Sequence, residues 1–192
     1  MTTVLTFGHG TAPRDELCDL LPAAGVRRVV DVRRFPGSRR HPHVATTELE
    51  QWLPAMGIGY RWDQRLGGRR ALPAQAEPTD PWWRVEAFRA YAAHTRTPEF
   101  RSAITDLLAE AAATPGTAVM CSESLWWRCH RRLIADVLVL LHSVDVAHLG
   151  HGGRLTAHPP AAGARISAAG LVYDRAGPSA ESPGRIPAVW PV

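Results

Sequence analysis

Short apolar runs alternate with helix-forming stretches along most of this chain, and that alternation constrains its fold more than any other feature. VLTFGHG occupies residues 4–10, VRRVVDVRR 26–34, IGYRW 58–62, TAVMCSE 117–123 and DVAHLG 145–150. Runs of this length, rich in β-branched residues and closed by turn formers, read as buried strands. Helical patterns fill the gaps. Pro13 opens PRDELCDLLPAA, with Asp15 and Glu16 at its positive end, Leu17, Leu20 and Leu21 as its apolar stripe and Gly25 beyond its end. TELEQWLPAMG is expected to be a helix with Thr47 and Glu50 as a capping box. Residues 81–113 read as two helices broken near Thr97-Pro98, and a strong helix is expected from Trp127 to Leu141. The pattern predicts an α/β fold, a mainly parallel sheet flanked by helices in a Rossmann-like three-layer arrangement. One domain is expected over residues 1–174, with an irregular tail over 175–192, where Gly, Pro and Ala dominate.

Open parallel sheets bind ligands outside the carboxyl ends of their strands. That rule selects the loops that start at His9, at Arg33, after Trp62, at Glu123 and at Gly150. His9 lies between two glycines, which would let the backbone approach a ligand closely. The loop DVRRFPGSRRHPH begins with Asp31 at the end of an apolar strand; it either hydrogen-bonds a neighbouring loop, orients an arginine or contacts substrate. Arg33, Ser38, Arg39 and Arg40 then place donors around a Pro-Gly turn, and Gly67, Gly68 and Arg69 follow on the next loop. Guanidinium forks match phosphate oxygens bidentately. A solvated basic loop is the competing reading. Neither a Walker pattern nor GxGxxG is present, and no motif calls for a cofactor.

All 22 basic residues are Arg, and with 18 acidic residues the formal net charge is +4. The absence of lysine excludes Schiff-base chemistry on a lysine. A positive balance favours an anionic partner, either a small molecule or nucleic acid. No apolar run reaches the length of a membrane helix, and MTTVLTFGHG lacks the basic start and long apolar stretch of a secretory leader. Three cysteines do not make a disulfide framework. The expectation is a cytoplasmic protein without a membrane partner; composition leaves the oligomeric state open.

CSESLWWRCHRR, residues 121–132, is the segment richest in chemistry. Cys121 and Glu123 sit at the end of the most apolar strand, and Cys129 and His130 are expected on the first turns of the following helix. A helix N-terminus lowers a thiol pKa and supplies donors to a developing oxyanion. Glu123, beside Trp126 and Trp127, is expected in an environment that perturbs its pKa. Cys121, Cys129 and His130 also offer soft or borderline metal ligands, but their spacing matches no common zinc template, so no metal is assigned.

The motifs TFGHGT, VVDVRRFPGSRRHPHV, LGGRR, FRAYAAHTRTPEF and VMCSESLWWRCHRRLIADVL together resemble the successive motifs of the domain of unknown function 488 family, over roughly residues 4–150. His41-Pro42 stands where the resemblance leads one to expect Asn-Pro. The resemblance implies a fold class and a site made by the motif residues, Trp127 and Arg131 among them, and Tyr91 enters on the resemblance alone. The resulting expectation is an enzyme acting on a phosphate-bearing substrate: a nucleotide, nucleoside or nucleic acid. The bond cleaved or transferred would be an N-glycosidic or ester bond. Glu123, Cys129, His130, Cys121 and Asp31 are the catalytic candidates. Arg33, Ser38, Arg39, Arg40, Arg69 and Arg131 are the anion-binding ones, and His9, Gly67, Gly68, Tyr91 and Trp127 the substrate-binding ones. A non-catalytic nucleic-acid-binding module and a metal-dependent hydrolase using Cys121, Cys129 and His130 are the alternatives.

Overall fold

The computed structural model describes residues 2–72 and 79–175. Except for Arg175, the tail expected over 175–192 lies outside the described residues. Five parallel strands form the sheet: β1 (Thr3–Gly8), β2 (Arg28–Asp31), β3 (Gly59–Trp62), β4 (Thr117–Cys121) and β5 (Asp145–Leu149). A sixth strand, β6 (Leu155–Ala157), joins β5 antiparallel, so the order is β3-β2-β4-β1-β5-β6. The hairpin of β7 (Ala164–Ser167) and β8 (Gly170–Tyr173) stands apart from this sheet.

Each central strand feeds two cores, because consecutive side chains point to opposite faces. Leu5, Val29 and Ala118 pack with α1 (Arg14–Ala23) and α2 (Thr46–Ala55). Their neighbours Val4, Val30 and Val119 pack on the other face with α3 (Glu86–Thr95), α4 (Pro98–Ala113) and α5 (Arg131–His142). This is the three-layer arrangement expected. Buried on both faces, the strands read as continuous apolar runs.

Two local expectations need correction. The capping box of α2 does not form: Ala45 is the N-cap, and no side chain caps the helix. The helix expected from Trp127 starts four residues later. Trp126–Arg128 is a 3-10 turn, and Cys129 is extended at φ −113° and ψ 149°. An extended residue interrupts the i to i−4 bonds, so Cys129 precedes α5 and His130 becomes its N-cap. The loop after β3 begins with a 3-10 turn at Gln64–Leu66, capped by Asp63. The expected break at Thr97-Pro98 is there, with the Thr97 hydroxyl accepting from the Phe100 N–H.

β1 and β4 are neighbours, yet their connections leave in opposite directions. β1 continues through α1 to β2 on one side, and β4 continues through α5 to β5 on the other. Their carboxyl ends therefore frame the crevice where such sheets place ligands.

Candidate active site at the strand carboxyl ends

A cleft of about 570 Å³ opens at that point. It is lined after β1 by His9 and Gly10, after β2 by Arg33–Phe35, Gly37, Ser38 and His41, and after β3 by Gly68 and Arg69. Cys121, Ser122 and Glu123 line it after β4, with Arg128, Cys129 and His130 behind them. Val85, Ala87, Phe88 and Tyr91, from the start of α3 and the residue before it, close the remaining wall. The loop after β5 does not line it; His151 there bonds the Gly8 carbonyl instead.

The glycines around His9 serve the protein rather than a ligand. A Cβ on Gly8 would overlap the Glu123 carbonyl oxygen, and one on Gly10 would overlap the Ser124 hydroxyl. Their absence lets the two loops zip together, with His9 N–H bonding the Cys121 carbonyl and Gly10 N–H the Ser122 carbonyl, both at 2.9 Å.

Asp31 is fully buried and lies behind the cleft wall. Its carboxylate takes Arg33 Nε at 2.8 Å, Arg33 Nη2 at 2.5 Å and the Tyr60 hydroxyl at 2.8 Å. Of its expected roles, holding an arginine is the one the geometry fits. Arg33 Nη1 lies 3.3 Å from His9 Nε2. A guanidinium only donates, so His9 Nε2 accepts and its Nδ1–H donates to the Gly10 carbonyl at 3.0 Å. Burial, then the Arg33 charge, pushes the His9 pKa down to about 4, so the ring is neutral at pH 7.

Arg34, Arg69 and Arg128 supply the cationic side of the cleft. None of the three forms an ion pair among the described residues. The Arg34 and Arg69 guanidiniums lie 5.8 and 6.0 Å from the Phe35 ring, which is 66% exposed. Arg34 Nη1 donates to the Arg69 carbonyl at 2.9 Å and braces Arg69 at a φ of 55°, a conformation non-glycine residues rarely hold. Arg39 and Arg40, two of the expected anion-binding residues, are exposed and contribute no lining. Ser38 lines the cleft, its hydroxyl accepting from the His41 N–H. Gly67 and Trp127 contribute no lining either, and Trp127 is exposed.

The floor is a sulfur–imidazole cluster. His130 Nδ1 lies 3.7 Å from Cys129 Sγ and 4.0 Å from Cys121 Sγ. Gly68 permits that placement, and the Tyr91 ring packs 4.9 Å from the imidazole. Tyr91 itself is buried, its hydroxyl donating to the Leu66 carbonyl at 2.5 Å. Arg131 is 1% exposed and does not line the cleft. Its Nε donates to Cys129 Sγ at 3.4 Å, and its Nη2 donates to the Glu123 carbonyl. Burial raises the Cys129 pKa, but the Cys121 thiol hydrogen bond and the Arg131 charge and N–H groups outweigh it and bring it to about 6. The same hydrogen bond, with burial, pushes Cys121 up to about 12. The two shifts run in opposite directions, with Cys129 the more acidic thiol of the pair.

Glu123 is placed differently from the expectation. It is exposed, its carboxylate caps the Leu125 N–H at 3.1 Å, and it pairs with neither Arg128 nor Arg131. Trp126 instead stacks on His148 at 4.2 Å. Cys121, Cys129 and His130 are the group among the described residues that could hold a metal ion, with ligand atoms within 4.8 Å of one another. The Arg131 guanidinium already bonds the Cys129 sulfur, which favours a thiol–thiolate pair over a bound dication.

Sequence reasoning missed Arg34, Phe35, Arg128 and, apart from Tyr91, the α3 wall. Phe35 carried a usable signal, an aromatic inside a basic strand-end loop. Periodicity alone does not say which helix roofs a cleft.

A family model described as "Domain of unknown function DUF488" matches residues 13–138, about two-thirds of the chain, beginning after His9. No curated protein and no solved structure matches.

Proposed function

We propose that this chain, which belongs to the DUF488 family, is an enzyme that cleaves an ester or N-glycosidic bond in a phosphate-bearing substrate, with the Cys129 thiolate as nucleophile. One observation carries the reading. Arg131 is buried with no carboxylate in contact among the described residues, and the group its Nε meets in the cleft floor is Cys129 Sγ. A buried guanidinium stays charged, so it favours an anion at that sulfur. This makes Cys129, rather than Glu123, the leading catalytic residue.

The phosphate of the substrate binds Arg34, Arg69 and Arg128, and its reacting centre faces Cys129. The sulfur attacks that centre, and the bond to the leaving oxygen or nitrogen breaks as the new bond to sulfur forms. His130, beside the sulfur, gives a proton to the leaving atom. Water then displaces the thiolate, returning a proton to His130. A nucleotide, nucleoside or nucleic acid suits a cleft that combines cations with Phe35, Phe88 and Tyr91. Three free cysteines suit a reducing cytoplasmic setting. No helix among the described residues is long and apolar enough to cross a membrane.

The test uses p-nitrophenyl phosphate, the four nucleoside 5′-monophosphates and a short single-stranded oligonucleotide, with mass spectrometry of quenched reactions. Turnover that Cys129→Ser abolishes, with a covalent adduct on Cys129, is the expected result. Tight, salt-sensitive oligonucleotide binding that Cys129→Ser leaves unchanged, with no turnover, would replace the enzyme reading by a binding module. Turnover that tracks zinc content would replace it by a metal-dependent hydrolase.

A further inference from the structure

Behind the cleft runs a buried polar chain. Thr6 on β1, His148 on β5, His158 after β6 and Asp136 on α5 are each 7% exposed or less. Thr6 Oγ1 lies 2.6 Å from His148 Nδ1, His148 Nε2 2.9 Å from His158 Nδ1, and His158 Nε2 2.8 Å from Asp136 Oδ1. Asp136 also accepts from the Ala161 N–H at 2.9 Å and from the Tyr173 hydroxyl at 3.0 Å. At the opposite end, Arg131 Nη1 reaches Thr6 Oγ1 at 3.5 Å.

With both rings neutral, the carboxylate end fixes every proton along the chain. A guanidinium only donates and a carboxylate only accepts. Thr6 therefore accepts from Arg131 and gives its own proton to His148 Nδ1. His148 then carries its proton on Nε2 and donates it to His158 Nδ1. His158 carries its proton on Nε2 and donates it to Asp136. In that arrangement both rings are Nε2–H tautomers, and every bond points from Arg131 to Asp136. Aligned bonds polarise one another, so the buried carboxylate is felt at the guanidinium. The Trp126 ring, lying 6° from parallel on His148, ties this chain to the turn that carries Cys129.

Arg131 thus has three directions filled: Nη1 on Thr6, Nη2 on the Glu123 carbonyl and Nε on the Cys129 sulfur. Resting on the reading of Cys129 as nucleophile, we propose that Thr6, His148, His158 and Asp136 are positioning residues that hold Arg131 against the Cys129 sulfur. The chain passes through β5 and the segment after it, beyond the residue-138 end of the family match, and makes this later segment part of the catalytic apparatus. Four buried polar side chains in one connected path are costly to desolvate. Their convergence on the residue that contacts the thiolate supplies a reason to keep them.

Thr6→Val keeps the shape of the side chain and removes the link between Arg131 and His148, while Thr6→Ser restores a hydroxyl. The readout is the pH dependence of Cys129 alkylation by iodoacetamide, followed by peptide mass spectrometry, which needs no substrate. The charged and titratable groups facing Cys129 are Cys121 from β4, Tyr91 from α3, and His130 and Arg131 beside it. Thr6→Val is expected to raise the apparent Cys129 pKa by about one unit, a roughly tenfold loss of thiolate in the acid limb, with Thr6→Ser close to the parent. An unmoved pKa in a folded Thr6→Val variant overturns the proposal. Imidazole nitrogen NMR on the unmodified chain is independent of folding defects and of the enzyme reading. Two neutral Nε2–H rings between pH 6 and 8 are expected; a protonated ring or an Nδ1–H tautomer at either position overturns the chain. If Cys129 of the parent titrates as an ordinary thiol while both tautomers hold, the nucleophile reading and the positioning role fall but the hydrogen-bond chain stands.

Discussion

Gly68 lies so close to His130 that a Cβ there would sit 2.8 Å from Nδ1 and 3.2 Å from Cγ of the ring. The imidazole has no easy retreat, with the Tyr91 ring 4.9 Å away and the two sulfurs on Nδ1. Gly68→Ala is therefore expected to displace His130, to lower turnover through the floor cluster, and to cost about 1–3 kcal/mol of stability by overpacking. Gly37, also in the cleft lining, has nothing within 4 Å of its Cβ position. Gly37→Ala is expected to be neutral or slightly stabilising, by about 0.4–1 kcal/mol, through the unfolded chain. Urea midpoints of the two variants, measured side by side, check the contrast; equal midpoints would remove the steric argument.

His9 makes stability depend on pH with a definite sign. Its folded pKa of about 4 lies below the ordinary 6.5, so between those values the unfolded chain binds more protons than the native one. Stability is then lost as pH falls from about 6.5 toward 4 and is flat above that window as far as His9 is concerned. The full difference corresponds to about 3 kcal/mol, an upper figure for a ring beside a cleft. His148 is also pushed down, by burial, then by His158 and Arg131, and adds a slope of the same sign. The measurement is the difference between the parent and His9→Gln in urea midpoints from pH 4 to 8. A parallel pair of curves would show that His9 does not carry the protons.

The Asp31–Arg33 pair predicts a different kind of failure. Asp31 is fully buried and accepts from two nitrogens of the Arg33 side chain, from the Arg33 N–H and from Tyr60. Asp31→Asn leaves the buried Arg33 charge without its counter-ion and is expected to cost about 3–5 kcal/mol. Thermal unfolding checks the loss. A change below about 1 kcal/mol would mean that the cleft wall does not rest on this pair.

How much of this was legible follows from the range of the interactions. β1, β2 and β4 were legible because strands buried on both faces leave unbroken apolar runs, and the strand-end rule then pointed at His9, Arg33, Cys121 and Cys129 together. The start of α5 was not, because Cys129 adopts an extended backbone that no local propensity announces. Nor was the sorting of Arg34 and Arg69 into the cleft and Arg39 and Arg40 out of it. Neighbouring arginines on an irregular loop differ only in backbone angles, and one of them, Arg69, holds a left-handed conformation braced by Arg34 from another loop. The hydrogen-bond chain was illegible for a topological reason: Thr6 and His148 are 142 positions apart and meet because β1 and β5 are neighbours. Glu123 read as a perturbed carboxylate because Trp126 and Trp127 follow it closely; Trp126 packs away from it, onto His148.

That sorting of the arginines gives the sharpest test of substrate class. Arg34, Arg69 and Arg128 line the cleft without ion pairs among the described residues, whereas Arg39 and Arg40 are exposed outside it. A charge-assisted hydrogen bond to phosphate contributes about 1.5–3 kcal/mol. Arg69→Ala and Arg128→Ala are each expected to weaken inorganic phosphate or nucleoside monophosphate binding about 10- to 100-fold. The double replacement of Arg39 and Arg40 by Ala is expected to change small-anion binding less than about twofold, because two exposed charges beyond the lining act only through screened solvent. Isothermal titration at fixed ionic strength measures all three. The same double variant would still weaken an oligonucleotide, whose further phosphates run past the cleft, and would reduce the salt slope of that binding. Loss of small-anion binding in the Arg39 and Arg40 variant, with Arg69→Ala and Arg128→Ala unaffected, would move the anion site out of the cleft and take the phosphate argument with it.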